Sequence, residues 1–160
     1  MNELETYLRN HWTAAAGGVD LAHRVAGSHK GTDLGPPLAA IATEIGEDRT
    51  SLAEVMDELG CDRGHVGPLA ARVLERVGRL KPNGRVLRRS PVSDVLEIEA
   101  LRSAVVGKTS VWDALLVLSQ RDALALDVDL EELRARATDQ LARLTGIHAD
   151  LTHRALGPGA

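Results

Sequence analysis

The sequence predicts an all-α protein, a four-helix bundle with a long crossover between its second and third helices. Three observations lead there. Within Ser90 to Gln120, the residues Ile98, Leu101, Val105, Trp112 and Leu116 fall on one side of a 3.6-residue helix. About 30 residues at 1.5 Å each make a rod of roughly 45 Å, which other rods must cover. Secondly, two short turns, at 28–35 and 124–128, flank one long connection over 61–90. Short turns join antiparallel neighbours, whereas a connection that long can span the bundle and leave helices two and three parallel, with a simple up-and-down order as the alternative. Thirdly, Tyr7, Trp12 and Trp112 are the only aromatic residues and there is no Phe. The core must then be Leu, Val, Ile and Ala, which suits closely packed helices. The chain of 160 residues reads as a single domain, 1–160, large enough to bury a core.

The first helix is expected from Glu3 to Ala26, with Leu4, Leu8, His11, Ala15, Val19 and Ala22 on its inner face. Its run Ala14-Ala15-Ala16-Gly17-Gly18 invites a neighbouring helix to approach closely. That would offset the roughly 1 kcal/mol that each helical glycine costs against alanine. His23 and Arg24 would occupy the last turn and Gly27 the left-handed cap. The second helix is expected from Pro36 to near Gly60, striped by Leu38, Ile41, Ile45, Leu52, Met56 and Leu59, with Asp48 and Arg49 breaking the stripe. Folding back at the turn brings His11 level with residues 49–52, so a His11–Asp48 contact is expected.

The crossover, 61–90, is expected to hold a short amphipathic helix near 68–80 and a turn at 82–84. Between Arg72 and Arg89 it carries seven basic residues against Glu75 alone, a charge of +6, which leaves −10 on the remainder. The third helix starts after Ser90, a good N-cap, with Pro91 at a position that needs no N–H. It runs towards Ala123. The fourth starts at Asp129, with Glu132 three residues on as a capping box. Leu133, Ala137, Leu141, Leu144, His148 and Leu151 line its inner side, and it ends at residues 157–159.

Composition excludes several classes. A net charge of −4 and the shortage of aromatic rings count against nucleic-acid binding by the chain as a whole. Cys61 is the sole cysteine, so no intrachain disulfide forms and a reducing cytoplasm is expected. Glu3 and Glu5 and the lack of an apolar run near the start argue against a secretory signal. No stretch approaches 18 apolar residues, so no membrane span is expected.

Chemistry-bearing patterns are few. Residues 20–27 read DLAHRVAG and residues 150–157 read DLTHRALG, each with Asp and His at i and i+3. Two Asp-x-x-His pairs on two helices is a metal-site spacing. The same residues also describe two helix ends that close alike, with cations in the last turn and Gly as cap. Asp20 and Asp150 point away from their apolar stripes, so the helix-end reading is adopted. A second candidate is a polar layer inside the bundle. Its metal-ligand set would be His11, Glu44, Asp48, Glu97 and His148. A dinuclear carboxylate site needs Glu-x-x-His on two helices, and none occurs; Glu44 is followed at i+3 by Glu47. Arg49 and Lys108 would bring positive charge towards the ion. The layer is therefore expected to be ion pairs that fix helix register. A third candidate is anion binding by Arg72, Arg76, Arg79, Arg85, Arg88 and Arg89, set against a plain solvated face that offsets the acidic remainder. No phosphate loop and no strand-linked Gly-x-Gly-x-x-Gly is present. Cys61, with His65 four residues on in a glycine-rich turn, has no third partner and reads as a structural thiol.

The helix order, the crossover, and the stretches IGEDRTSLAEVMDELG (45–60) and LEIEALRSAVVGK (96–108) resemble the ferritin-like four-helix-bundle superfamily, in particular its uncharacterised bacterial branch rich in Ala, Arg and Leu. For its metal-binding members the resemblance implies iron or manganese and oxidation chemistry. This sequence departs from them in lacking the Glu-x-x-His pairs. The expectation is thus a non-catalytic bundle, with no catalytic residues and no cofactor, acting through protein contacts and forming a homodimer about Tyr7 and Trp12. The alternatives are a metal-binding oxidoreductase with a variant carboxylate and histidine site, and a binder of nucleic acid or anionic lipid through the basic crossover.

Overall fold

The computed structural model describes residues 3–64, 90–122 and 124–158, and all regular structure among them is helical. The helices are α1 (Glu3–Ser28), α2 (Gly35–Glu58), α3 (Pro91–Asp122) and α4 (Leu130–Leu156). Each lies within two residues of its expected bounds. The short helix expected near 68–80, the turn at 82–84 and all six arginines of the anion-binding candidate lie outside the described residues.

Local chemistry accounts for most of the helix ends. Pro36 and Pro37 open α2, where the first N–H groups have no intrahelical partner. Its end is a Schellman closure: Gly60 takes φ +63°, its N–H donates to the Asp57 carbonyl, and the Cys61 N–H donates to the Met56 carbonyl at 2.8 Å. Asp129 caps α4, accepting from the Glu132 N–H at 2.9 Å. The end of α1 corrects the expectation. The helix continues through Gly27 to Ser28, and the left-handed residue is Gly31, with φ +88°. His29, one residue past that end, is buried and lies 3.8 Å from Asp94 of α3. His23 and Arg24 consequently sit inside α1 rather than in its last turn.

Contacts between helices fix their directions. Along α1, Tyr7 donates to the Ser110 carbonyl, a Cβ on Gly18 would lie 3.8 Å from that of Ala104, and Arg24 lies 3.7 Å from Glu97. Rising numbers on α1 meet falling numbers on α3, so the two are antiparallel. Asp48 meets Arg136, Glu44 meets Arg143, and Glu58 accepts from the Asp127 N–H, so α2 and α4 are antiparallel too. With the short turn joining α1 to α2, it follows that α2 and α3 run parallel. The end of α2 at Glu58 and the start of α3 at Pro91 therefore lie at opposite ends of the bundle.

The core is divided in two. One cluster gathers Leu21, Val25, Leu38, Ile41, Ile98 and Leu144. The other gathers Leu8, Leu52, Met56, Trp112, Leu115 and Leu133. Between them, at the level of Asp48, Lys108 and Gln140, lies a layer of polar side chains.

Candidate functional site

Asp48 is the hub of that layer, 1% exposed on the inner face of α2. Its Oδ1 accepts from Arg136, at 2.7 Å from Nε and 2.6 Å from a terminal nitrogen. Its Oδ2 accepts from the Lys108 ammonium and, at 3.1 Å, from the Gln140 amide. Gln140 is wholly buried; its carbonyl accepts from Lys108 and its amide donates to Glu44 at 3.1 Å. Arg143 closes the far side on Glu44 and Asp139. Burial pushes the Lys108 amine below its ordinary range, and the Asp48 charge beside it works in the opposite direction. The layer thus sets three cations, Lys108, Arg136 and Arg143, against Asp48 and Glu44, with Glu47 and Asp139 at its solvent edge. Every oxygen of Asp48 already faces a cation, so a metal ion would have to displace an ammonium or a guanidinium to bind there.

The five residues of the metal reading fall in separate places. Glu44 and Asp48 join the layer. Glu97 is buried one end away, next to Arg24. His148 is turned outward and meets the exposed Glu99 at 3.0 Å. His11 lies on the α1 side, its ring centroid 4.6 Å from that of Tyr7. Among the described residues, no cluster of His, Cys, Asp and Glu could hold a metal ion. No hydrogen bond joins His11 to Asp48, although both face the same cavity. Asp20, His23, Asp150 and His153 are all exposed; His153 and Arg154 stand in the last turn of α4 as the helix-end reading expects, whereas His23 and Arg24 do not stand in the last turn of α1.

Arg136, Gln140 and Arg143 were not singled out by the sequence. The expected inner side of α4 named Leu141 and His148, whereas the buried residues there are Gln140 and Ile147. One signal was available: Gln140 stands three residues after Ala137 and four before Leu144, squarely on the apolar stripe.

Beside the layer, between α1 and α3 with α2 as its floor, is a cavity of about 520 Å³. Its walls are small and apolar, with Ala14, Ala15 and Gly18 from α1 and Ala100, Ala104 and Gly107 from α3. The small-residue run of α1 therefore does two things. It lets Gly18 approach Ala104, and on either side of that approach it leaves space. Most of the polar lining gathers at one level, Asn10, His11, Arg49 and the Asp48–Lys108 pair, with Ser103 further along α3. Burial holds the His11 imidazole below its ordinary value. Comparison with protein-family models, with curated proteins and with solved structures finds no match to this chain.

Proposed function

We propose that the chain is a non-catalytic helical bundle of ferritin-like order that acts through protein contacts, its first partner being a second copy of itself. The parallel course of α2 and α3 supports the ferritin-like order. The saturation of Asp48 by its own cations supports a register-fixing role for the layer in place of a metal centre. No reaction is assigned to it.

The observation that carries the contact reading is the outer face of α3. Among the described residues, four of the five large apolar side chains left exposed are Val92, Leu96, Val106 and Val117, all on α3. At 100° per residue they fall within about 80° of arc, on the side opposite the buried Ile98, Leu101, Val105 and Trp112. Single exposed apolar residues need no explanation, but a row of them along one helix marks an interaction face. The row suits a two-fold pairing. With two α3 helices antiparallel, Val92 of one copy lies opposite Val117 of the other and Val106 lies near the axis. Tyr7 and Trp12, where the dimer was first expected, are engaged within the chain instead: Tyr7 bonds to Ser110, and Trp12 lies under Arg49.

Sedimentation equilibrium tests this reading. The expected result is a dimer in the micromolar range, converted to a monomer of unchanged helix content by Leu96→Glu with Val106→Glu. A wild-type chain that stays monomeric at high micromolar concentration overturns it.

A further inference from the structure

We propose that the cavity between α1 and α3 is a binding site for one amphipathic monoanion, a medium-chain carboxylate whose head meets Arg49 and whose tail lies against the small residues of the two helices. This stands on different observations from the contact reading and does not depend on it.

The first observation is room of the right kind. About 520 Å³ lies within the range of small-molecule pockets, and apolar walls with a few polar groups are their usual make-up. The lining runs along α1 from Asn10 to Leu21, roughly 16 Å at 1.5 Å per residue, so the space is long rather than round. The second is an uncompensated cation. Lys108 is taken up by Asp48, but among the described residues no carboxylate lies within ion-pair distance of Arg49. Arg49 rests on the Trp12 ring with its guanidinium carbon 3.8 Å from the centroid, and its Nε is buried without an acceptor. A guanidinium held by a ring on one face keeps its N–H edge for a planar anion, which it can bind through two parallel bonds. The third is a second orphan donor. Trp112 is 1% exposed, lines the same cavity, and its indole N–H has no acceptor. Among the described residues, Arg49 and Trp112 are the two whose buried, partnerless donors belong to side chains lining this cavity, and an acceptor on a bound molecule would satisfy such donors. His11, kept neutral by its burial, adds no second charge. One free cation in an apolar space favours a single negative charge over a phosphate dianion, and a carboxylate over an uncharged alcohol.

The test uses the whole chain. The two tryptophans, Trp12 and Trp112, stand one against Arg49 and one in the cavity wall, so intrinsic fluorescence reports the site. Octanoate, dodecanoate and hexadecanoate are titrated below their micellar concentrations, with dodecanol as the uncharged control, and calorimetry gives the stoichiometry. The expected result is one carboxylate per chain, bound at least about tenfold more tightly than the alcohol, the difference a charge-assisted bond makes. Arg49→Met should bring the carboxylate to the affinity of the alcohol or below it, because its charge is left unpaired, and leave the alcohol unchanged. Ala15→Leu, which fills the space with a good helix former, should remove both. No binding of any chain length, several equivalents bound alike by wild type and Ala15→Leu, or equal affinity for dodecanoate and dodecanol each overturns the proposal. The last comparison needs only the wild-type protein, so it decides even where a variant fails to fold.

Discussion

Asp48 anchors the polar layer from α2, facing the Lys108 ammonium and the Arg136 guanidinium at once. A charged pair breaking the stripe of α2 was visible in the sequence, and Lys108 was visible beside the stripe of α3. What they meet was not, because Arg136 and Gln140 lie 88 and 92 residues from Asp48 and reach it only through the packing of α4 against α2. Removing Asp48 leaves Lys108 and Arg136 facing each other without their anion. Asp48→Ala is expected to lower unfolding stability in urea by about 3–5 kcal/mol. Replacing the group as a whole, Asp48→Leu with Lys108→Met, Arg136→Met and Gln140→Leu, should recover most of that loss, since well-packed apolar side chains replace a buried ionic cluster at little cost. His11 makes the complementary case. Its burial holds the imidazole below the ordinary value of 6.5. As pH falls through 6.5 the unfolded chain therefore takes up a proton that the folded chain does not. The contribution of neutral His11 is whole above 6.5 and is lost progressively as pH falls towards the lower folded value. Between about pH 7 and pH 5, His11→Gln should lose less stability than the wild type in paired denaturant titrations. An equal loss in both would show that His11 titrates as it does in the unfolded chain.

At the scale of the helix, local signals went far. Pro36-Pro37, Gly60 and Asp129 mark ends that the folded chain keeps, because proline, the left-handed glycine and the capping carboxylate each act within a few residues. Gly27 misled for the opposite reason. Just past the end of α1, His29 is buried and faces Asp94 of the neighbouring α3, a contact no window along α1 contains. Glycines separate the two kinds of constraint by experiment. A Cβ at Gly18 would make ordinary contact with Ala104 at 3.8 Å, so Gly18→Ala should stabilise the protein by up to about 1 kcal/mol through helix propensity. A Cβ at Gly35 would stand 2.8 Å from the His29 carbonyl oxygen, so Gly35→Ala should destabilise it by forcing the α1–α2 turn apart. Thermal unfolding of the two variants reads both signs.

For the whole molecule, the sequence led to four amphipathic rods and one long connection, and it left the direction of the third rod open. Direction came from pairings that cross the chain: Tyr7 with Ser110, Arg24 with Glu97, His29 with Asp94. The sequence pointed to the aromatic residues of α1, while the exposed row lies on α3, a helix apolar on two opposite sides. The cavity was likewise hidden, since a run of small residues reads as close packing until the neighbouring helix is seen to be small-faced at the same level. No described helix is long and apolar enough to cross a membrane. The central claim is that the acids inside this bundle are neutralised by its own lysine and arginines and leave no place for an ion. Elemental analysis of protein purified without chelators tests it directly. The account predicts iron, manganese and zinc far below one equivalent per chain, and a stoichiometric metal that Asp48→Asn releases would contradict it.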